Sequence, residues 1–268
     1  MIKRYHEAPL QIFEEVQKRT DGDYALVHLF ESDPEYLEVF KKAVAAGRDV
    51  ILDNSIYELG TAFDSEKYAA WIDELKPTWY IVPDCWKDSD KTIDMFFNFR
   101  DKYPNLPGKI IGVAQGNTPD DVVNTYKAIE PYCDMVAFSL DFSSWHLESS
   151  HASEVPHCLA MSLGRFDILR TLDDCGVINY EKPHHLLGCG VPQEVLLYKR
   201  SDHEFSWIRS IDTCNPVLMG IHRQCYHPEL GVFHKPSDKM CDMMHDHLWF
   251  SQRMVAYKNI ETMKRWCE

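Results

Sequence analysis

The stretch KIIGVAQGNTPDDVVNTYKAI, residues 109–129, decides the fold. After Lys109 its next five residues, Ile110 to Ala114, are apolar and include three β-branched side chains, the signature of a short strand. Gln115, Gly116 and Asn117 turn the chain. Thr118 then precedes Pro119, with Asp120 and Asp121 behind it. That is a capping residue, a proline at the first helical turn and two acids at the positive end of the helix dipole. A helix is expected over 119–129. A strand and a helix joined by a short polar turn form part of a βαβ unit, which implies a parallel sheet with crossover helices.

The alternation extends both ways. Strands are expected at 24–30, 50–53, 79–82, 109–114, 135–139, 185–187 and 207–211. Helices are expected at 34–46, 65–75, 89–103, 119–129, 164–175 and 192–199. Residues 142–154, Ser-rich and with His146 and His151, read as a long loop. Seven repeats exceed the usual doubly wound sheet and approach the eight of a barrel. The expected fold is α/β, a (β/α)8 TIM barrel, irregular where one unit is unplaced. It spans 1–268 as one domain, with a His- and Cys-containing C-terminal segment at 217–268. The eighth unit comes from the first twenty residues or from the tail after Pro216.

Composition agrees. The 268 residues suit one α/β barrel. With 45% hydrophobic and 26% charged residues, a disordered or collagen-like chain is excluded. The net charge of −14 argues against a protein that coats nucleic acid non-specifically, though it permits a local basic groove. No apolar run approaches the roughly 18 residues of a membrane span, and residues 1–15 hold no signal-peptide core. Nine scattered cysteines without a CxxC pair read as reduced thiols of a cytoplasmic protein, most of the earlier ones in the core. There is no GxGxxG after the first strand and no GxxxxGK[ST], so phosphate cradles of those types are absent.

Barrel chemistry sits at the C-terminal ends of the strands. Those ends read Leu52-Asp53-Asn54-Ser55-Ile56-Tyr57, Pro83-Asp84-Cys85, Gly112-Val113-Ala114-Gln115-Gly116, Phe138-Ser139-Leu140-Asp141, Leu187-Gly188-Cys189-Gly190 and Ser210-Ile211-Asp212-Thr213. Asp53, Asp84 and Gln115 follow one another at 31-residue intervals, about one βα unit each. A single Asp after a strand often only caps the next helix. Three Asp and a Gln at equivalent positions would converge on one mouth. A carboxylate and an amide match the donor and acceptor edge of a purine. Tyr57 could stack on its face or simply pack. A further carboxylate could attack an anomeric carbon. Such a set suits breaking and remaking an N-glycosidic bond.

These segments resemble the guanine transglycosylases, which insert 7-deazaguanines into nucleic acid. Residues 52–57 look like the family's L-[ST]-D-[ST]-G-G-[FY], without its two glycines. Pro83-Asp84-Cys85 is similar to its D-E-C or D-D-C segment. Residues 112–116 resemble G-[IV]-V-Q-G, Leu187 to Pro192 resembles M-G-V-G-x-P, and Ser210 to Pro216 resembles D-x-F-D-C-V-x-P. The five segments keep the family's order over about 60% of the chain. The resemblance implies a nucleophile at Asp212 and a general acid/base at Asp53. It implies base-edge recognition by Asp84 and Gln115, assisted by backbone around Ser139 and Leu140. Tyr57 would stack on one face of the base and Leu187 would cover the other, with Gly188 also among the substrate-binding residues. It also implies a two-step exchange on a flipped-out guanosine, with no cofactor needed for the chemistry.

The departures matter too. The family's tRNA enzymes carry a C-x-C-x2-C…H zinc site. Here Cys225, His227, Cys241 and His245 could supply four ligands for a structural zinc, but at other spacings. A His-rich surface tail is the favoured reading of those four residues. The L-A-V-G-[GE] loop after the fifth strand is replaced by Phe138-Ser139-Leu140-Asp141. The shorter pattern is most like the phage-type members, which act on DNA. The partners implied are DNA, with tRNA as the alternative, and a 7-deazaguanine base. No membrane is expected, and a homodimer or a partner protein could help reach duplex substrate. Phosphate-contact candidates are Lys199, Arg200, Arg209, Arg223, Lys235, Lys239, Arg253, Lys258, Lys264 and Arg265. Two other readings compete. A metal-dependent hydrolase would want an early HxH, and the one present is His245-Asp246-His247 in the tail. A non-catalytic partner subunit would be expected to lose the nucleophile, and Asp212 is present.

Overall fold

The computed structural model describes residues 1–150, 155–200, 205–232 and 234–268, side chains at 149, 150 and 200 apart. Eight parallel strands close into a barrel in chain order. They are β1 (Lys3–Tyr5), β2 (Gly22–Leu26), β3 (Asp49–Asp53), β4 (Trp79–Ile81), β5 (Lys109–Ala114), β6 (Met135–Phe138), β7 (His184–Leu186) and β8 (Ile208–Asp212). β1 closes the barrel by pairing with both β2 and β8. This is the expected (β/α)8 barrel.

The helices are α1 (Phe13–Gln17), α2 (Val27–Ser32), α3 (Pro34–Ala45), α4 (Ile56–Leu59), α5 (Ser65–Leu75), α6 (Ser89–Lys102), α7 (Pro119–Ile129), α8 (Ser143–Ser150), α9 (His157–Asp174), α10 (Glu194–Arg200), α11 (Asn215–Ile221) and α12 (Phe250–Cys267). The opening segment folds as read. Thr118 and Asp121 form a reciprocal capping box, with Pro119 in the first turn of α7.

The eighth strand comes from the first twenty residues and its neighbouring helix from the tail. Ile2 N donates to Cys267 O at 3.0 Å, tying β1 to the end of α12. α12 in turn lies so close to α11 that a Cβ on Gly220 would sit 2.5 Å from Ala256. Three expectations are corrected. The strand placed at 24–30 ends at Leu26, and its second half is α2, whose Val27 and Phe30 are buried. A short apolar run cannot by itself tell strand from helix. The loop placed at 142–154 contains α8, and 151–154 lie outside the described residues. Helix 164–175 starts earlier, at His157, because Gly164 is no helix breaker. Its missing side chain lets the Phe142 carbonyl approach to 2.3 Å from where a Cβ would be. All nine cysteines are free, but only Cys133, Cys189 and Cys267 are buried.

Alternation along each strand divides the interior from the helix-facing side. Tyr5, Tyr24, Leu26, Ile51, Ile81, Ile111, Val113, Met135 and Ala137 fill the barrel as one apolar cluster. Val50, Leu52, Val82, Val136 and Phe138 face the helices in the larger core.

Candidate active site

The interior pattern positions the site. Two residues beyond Tyr5 stands Glu7; beyond Ile51, Asp53; beyond Val113, Gln115; beyond Ala137, Ser139. Along β7 and β8 the same step takes His185 to Leu187 and Ser210 to Asp212. β1, β3, β5 and β6 thus change from apolar filler to polar mouth within one period, whereas β7 and β8 carry polar residues, His185 and Ser210, inside the barrel. Asp53, Tyr57, Asp84, Gln115, Ser139, Leu140, Leu187, Gly188 and Asp212 all line one cavity at the C-terminal end of the barrel. Every base-exchange position expected from the sequence is gathered there.

Asp212 is held on one side. Its Oδ1 accepts from Gly188 N at 2.9 Å and lies 3.0 Å from His185 Nε2. Its Oδ2 takes no hydrogen bond among the described residues. Gly188 can aim its N–H this way because its φ of +58° is open to glycine at little cost.

In the order of a closed eight-stranded barrel, β4 stands across from β8. Asp84, just beyond β4, therefore faces Asp212 across the mouth. Asp84 accepts from Asn54 Nδ2 and Gln115 Nε2, both at 2.7 Å. Gln115 Oε1 accepts from Lys87 N at 3.2 Å. These bonds fix the amide's orientation and leave its second N–H available. Asp53 Oδ2 accepts from Ser55 N at 2.7 Å, and Ser55 itself adopts a left-handed φ of 59°.

Acids crowd the mouth. Burial pushes the Asp53 carboxyl well above the usual range, with the Glu58 charge adding to it. Glu7 is raised in the same way by burial and by Glu58, Asp212 and Asp53. Burial lifts Glu58 to about 7. Burial also raises Asp84, against the pull of its bonds from Gln115 and Asn54. A carboxyl that holds its proton near neutrality is equipped to act as an acid and then as a base.

Tyr57 and Trp86 flank the opening with ring centroids 5.9 Å apart. Lys239 Nζ sits 5.8 Å from the Tyr57 ring centre and donates to Glu58 O at 3.2 Å. Of the basic candidates, Lys235 and Lys239 line the cavity. Behind the opposite rim, buried Arg165 on α9 forms a two-pronged pair with Glu194 on α10, at 2.7 and 3.0 Å. Its remaining nitrogen donates to the carbonyls of Phe138, Ser139 and Leu187. One cation thus pins the loops after β6 and β7.

The four tail residues proposed as zinc ligands do not come together. His227 Nδ1 accepts the N–H groups of Glu229 and Leu230. His245 pairs with Asp33 at 2.7 Å, beside the start of α3. Cys225 is exposed, and Cys241 Sγ lies 3.9 Å from its neighbour Asp242. Among the described residues no group of three or more His, Cys, Asp or Glu side chains could hold a metal ion. Cys241 is partly buried against the barrel's interior cluster, while Cys225 and His227 are exposed. His245 and His247 diverge too, the latter meeting Gln11 at 3.0 Å.

Sequence reasoning missed Glu7, Glu58, His185 and Arg165. Glu7 follows the strand that was left unplaced. His185 stood in an expected strand, and its inward face was the available signal. Among the described residues, no helix is long and apolar enough to cross a membrane.

No family model and no curated protein matches the chain. Solved structures do. N-(5'-phosphoribosyl)anthranilate isomerase from Pyrococcus furiosus aligns with a TM-score of 0.45 and 11% identity, over 99% of this chain and 98% of that one. L-Talarate dehydratase from Polaromonas sp. JS666, complexed with Mg and L-glucarate, aligns with a TM-score of 0.42 and 8% identity, over 79% of this chain and 50% of that one. The barrel assignment rests on the strand pairing itself.

Proposed function

We propose that the protein is a base-exchange transglycosylase, replacing guanine in nucleic acid, DNA in the first instance, with a 7-deazaguanine. The observation behind this reading is the posture of Asp212: one carboxylate oxygen is pinned, and the other is unbonded on a cavity whose far wall carries Asp84 and Gln115. The space between would take a purine, its edge toward Asp84 and Gln115 and its sugar toward Asp212.

In the first step Asp212 Oδ2 attacks C1′. The N9–C1′ bond breaks, its electron pair goes to the departing guanine, and the Asp53 carboxyl supplies the proton that guanine takes. The transition state has oxocarbenium character, which a nearby carboxylate stabilises. In the second step the Asp53 carboxylate removes the N9 proton of the incoming 7-deazaguanine. N9 attacks C1′ and the Asp212 ester bond breaks, restoring both acids. Tyr57 stacks on the base, and Lys235 and Lys239 meet phosphates at the rim.

The test is incorporation of radiolabelled 7-deazaguanine bases into guanine-containing DNA and into tRNA. The expected result is label in DNA, lowered at least about a thousandfold by Asp212→Asn. Label in tRNA alone would move the substrate to RNA. Exchange by Asp212→Asn at the wild-type rate would remove Asp212 from the role.

A further inference from the structure

His185 has no part in the exchange as written, yet it is a polar ring inside the barrel, against Tyr5 and Tyr24. It is fully buried. The pairing of β7 with β8 is irregular at this point. His184 lies opposite Ile208 and His185 opposite Ser210, so Arg209 is an extra residue in β8. Such a bulge re-aims side chains. Here it brings His185 and Ser210 together inside the barrel, with Asp212 one step further toward the mouth.

The contacts form a chain. His185 Nδ1 is 2.7 Å from Ser210 Oγ, and His185 Nε2 is 3.0 Å from Asp212 Oδ1. A neutral imidazole satisfies both in one tautomer: Nε2–H donates to Asp212 and Nδ1 accepts the Ser210 hydroxyl. Met135 Sδ, 3.7 Å from Ser210 Oγ, is the weaker competing acceptor. The ring cannot readily turn away. Tyr24 stacks on it at 6.4 Å and 8°, and Tyr5 meets it edge-on at 6.0 Å. A polar ring among Ile, Val, Met and Ala costs desolvation that an apolar side chain would avoid. Its placement is accounted for by what it holds.

We propose that His185 is a positioning residue for the nucleophile. With Gly188 N it fixes Asp212 Oδ1 from below and behind, so that Oδ2 is presented to the sugar carbon. Ser210 holds the imidazole in the tautomer that can donate. This rests on the exchange reading for its chemistry, and its test separates the two.

The test compares His185→Leu with His185→Gln, whose amide N–H can replace Nε2–H. Excess enzyme is mixed with a guanine oligonucleotide without free base, and the rate of covalent adduct formation is followed on denaturing gels. Oligonucleotide binding and thermal melting are measured alongside. The expected result is a loss of at least a hundredfold in adduct rate for His185→Leu, with binding within threefold of wild type and recovery to within tenfold in His185→Gln. A wild-type rate in His185→Leu, or equal loss in both variants, overturns the proposal. Imidazole 15N NMR of the wild type and of Asp212→Asn supplies an arm that needs no turnover and no folded His185 variant. A protonated Nε2 whose signal moves in Asp212→Asn supports the proposal; an Nδ1–H tautomer, or no response, overturns it. Absence of any wild-type adduct would instead count against base exchange, while the NMR arm still decides the His185–Asp212 link.

Discussion

Gly188 connects two functions through one backbone group. Its N–H holds Asp212 Oδ1, and its left-handed φ of +58° makes that aim possible. A Cβ there would also meet Leu140 at 3.2 Å. Gly188→Ala is expected to cost about 1–3 kcal/mol of stability from backbone strain. On the base-exchange reading it should also slow exchange more than it weakens base binding, because it displaces the Asp212 carboxylate from the position proposed for attack. Urea unfolding and a split of kcat from KM check this; an unchanged kcat would contradict it. At this scale the sequence was legible wherever a polar residue followed the end of an expected strand. Asp53, Asp84, Gln115 and Asp212 stood out for that reason. Glu7 did not, because the three residues of β1 present no run to end. His185 was visible as an inward residue of β7, but its partners depend on the Arg209 bulge, which no local pattern announces.

Among the elements, α9 and α10 determine how firmly the mouth is built. Arg165 and Glu194 are both almost wholly buried, and Ser162 and Tyr198 complete the carboxylate's bonds at 3.1 and 2.8 Å. Removing one partner strands a buried charge. Arg165→Leu is expected to lose about 3–5 kcal/mol in chemical denaturation, and to raise hydrogen exchange at the backbone of 187–190, where the Leu187 carbonyl loses its donor. A loss under about 1 kcal/mol, the worth of an exposed pair, would contradict it. Helices with capping chemistry were the legible ones. Ser65–Leu75 and Pro119–Ile129 fall where the sequence puts them, and each has a side-chain cap. α9 has no side-chain cap, and the glycine within it serves packing rather than termination. α2 continues the apolar run of β2 without a break in composition, so only tertiary packing separates the two.

At the scale of the whole molecule, the net charge of −14 has a local counterpart in the acids gathered at the barrel mouth. Burial of those acids makes stability depend on pH in a set direction. Glu58 titrates near 7 in the fold, against an ordinary value of 4.5. Between those values the folded state binds more protons than the unfolded one, so this contribution to stability falls as pH rises through 4.5 to 7. Buried His6 and His184, both lowered to about 4, act in the opposite sense. Comparison with Glu58→Gln isolates the acid. Relative to that variant, wild-type Tm should decline from pH 5 to pH 7.5, and parallel curves would contradict the account. The barrel itself was legible as a count of repeats. Its closure was not, because the eighth unit is built from both ends of the chain. The central claim, that Asp212 forms a covalent bond to the sugar, is tested most directly by intact-protein mass spectrometry and peptide mapping after incubation with a guanine-containing oligonucleotide. The account predicts an adduct on the peptide holding Asp212, lost in Asp212→Asn and released by added 7-deazaguanine. No adduct, or one on another residue, would contradict it.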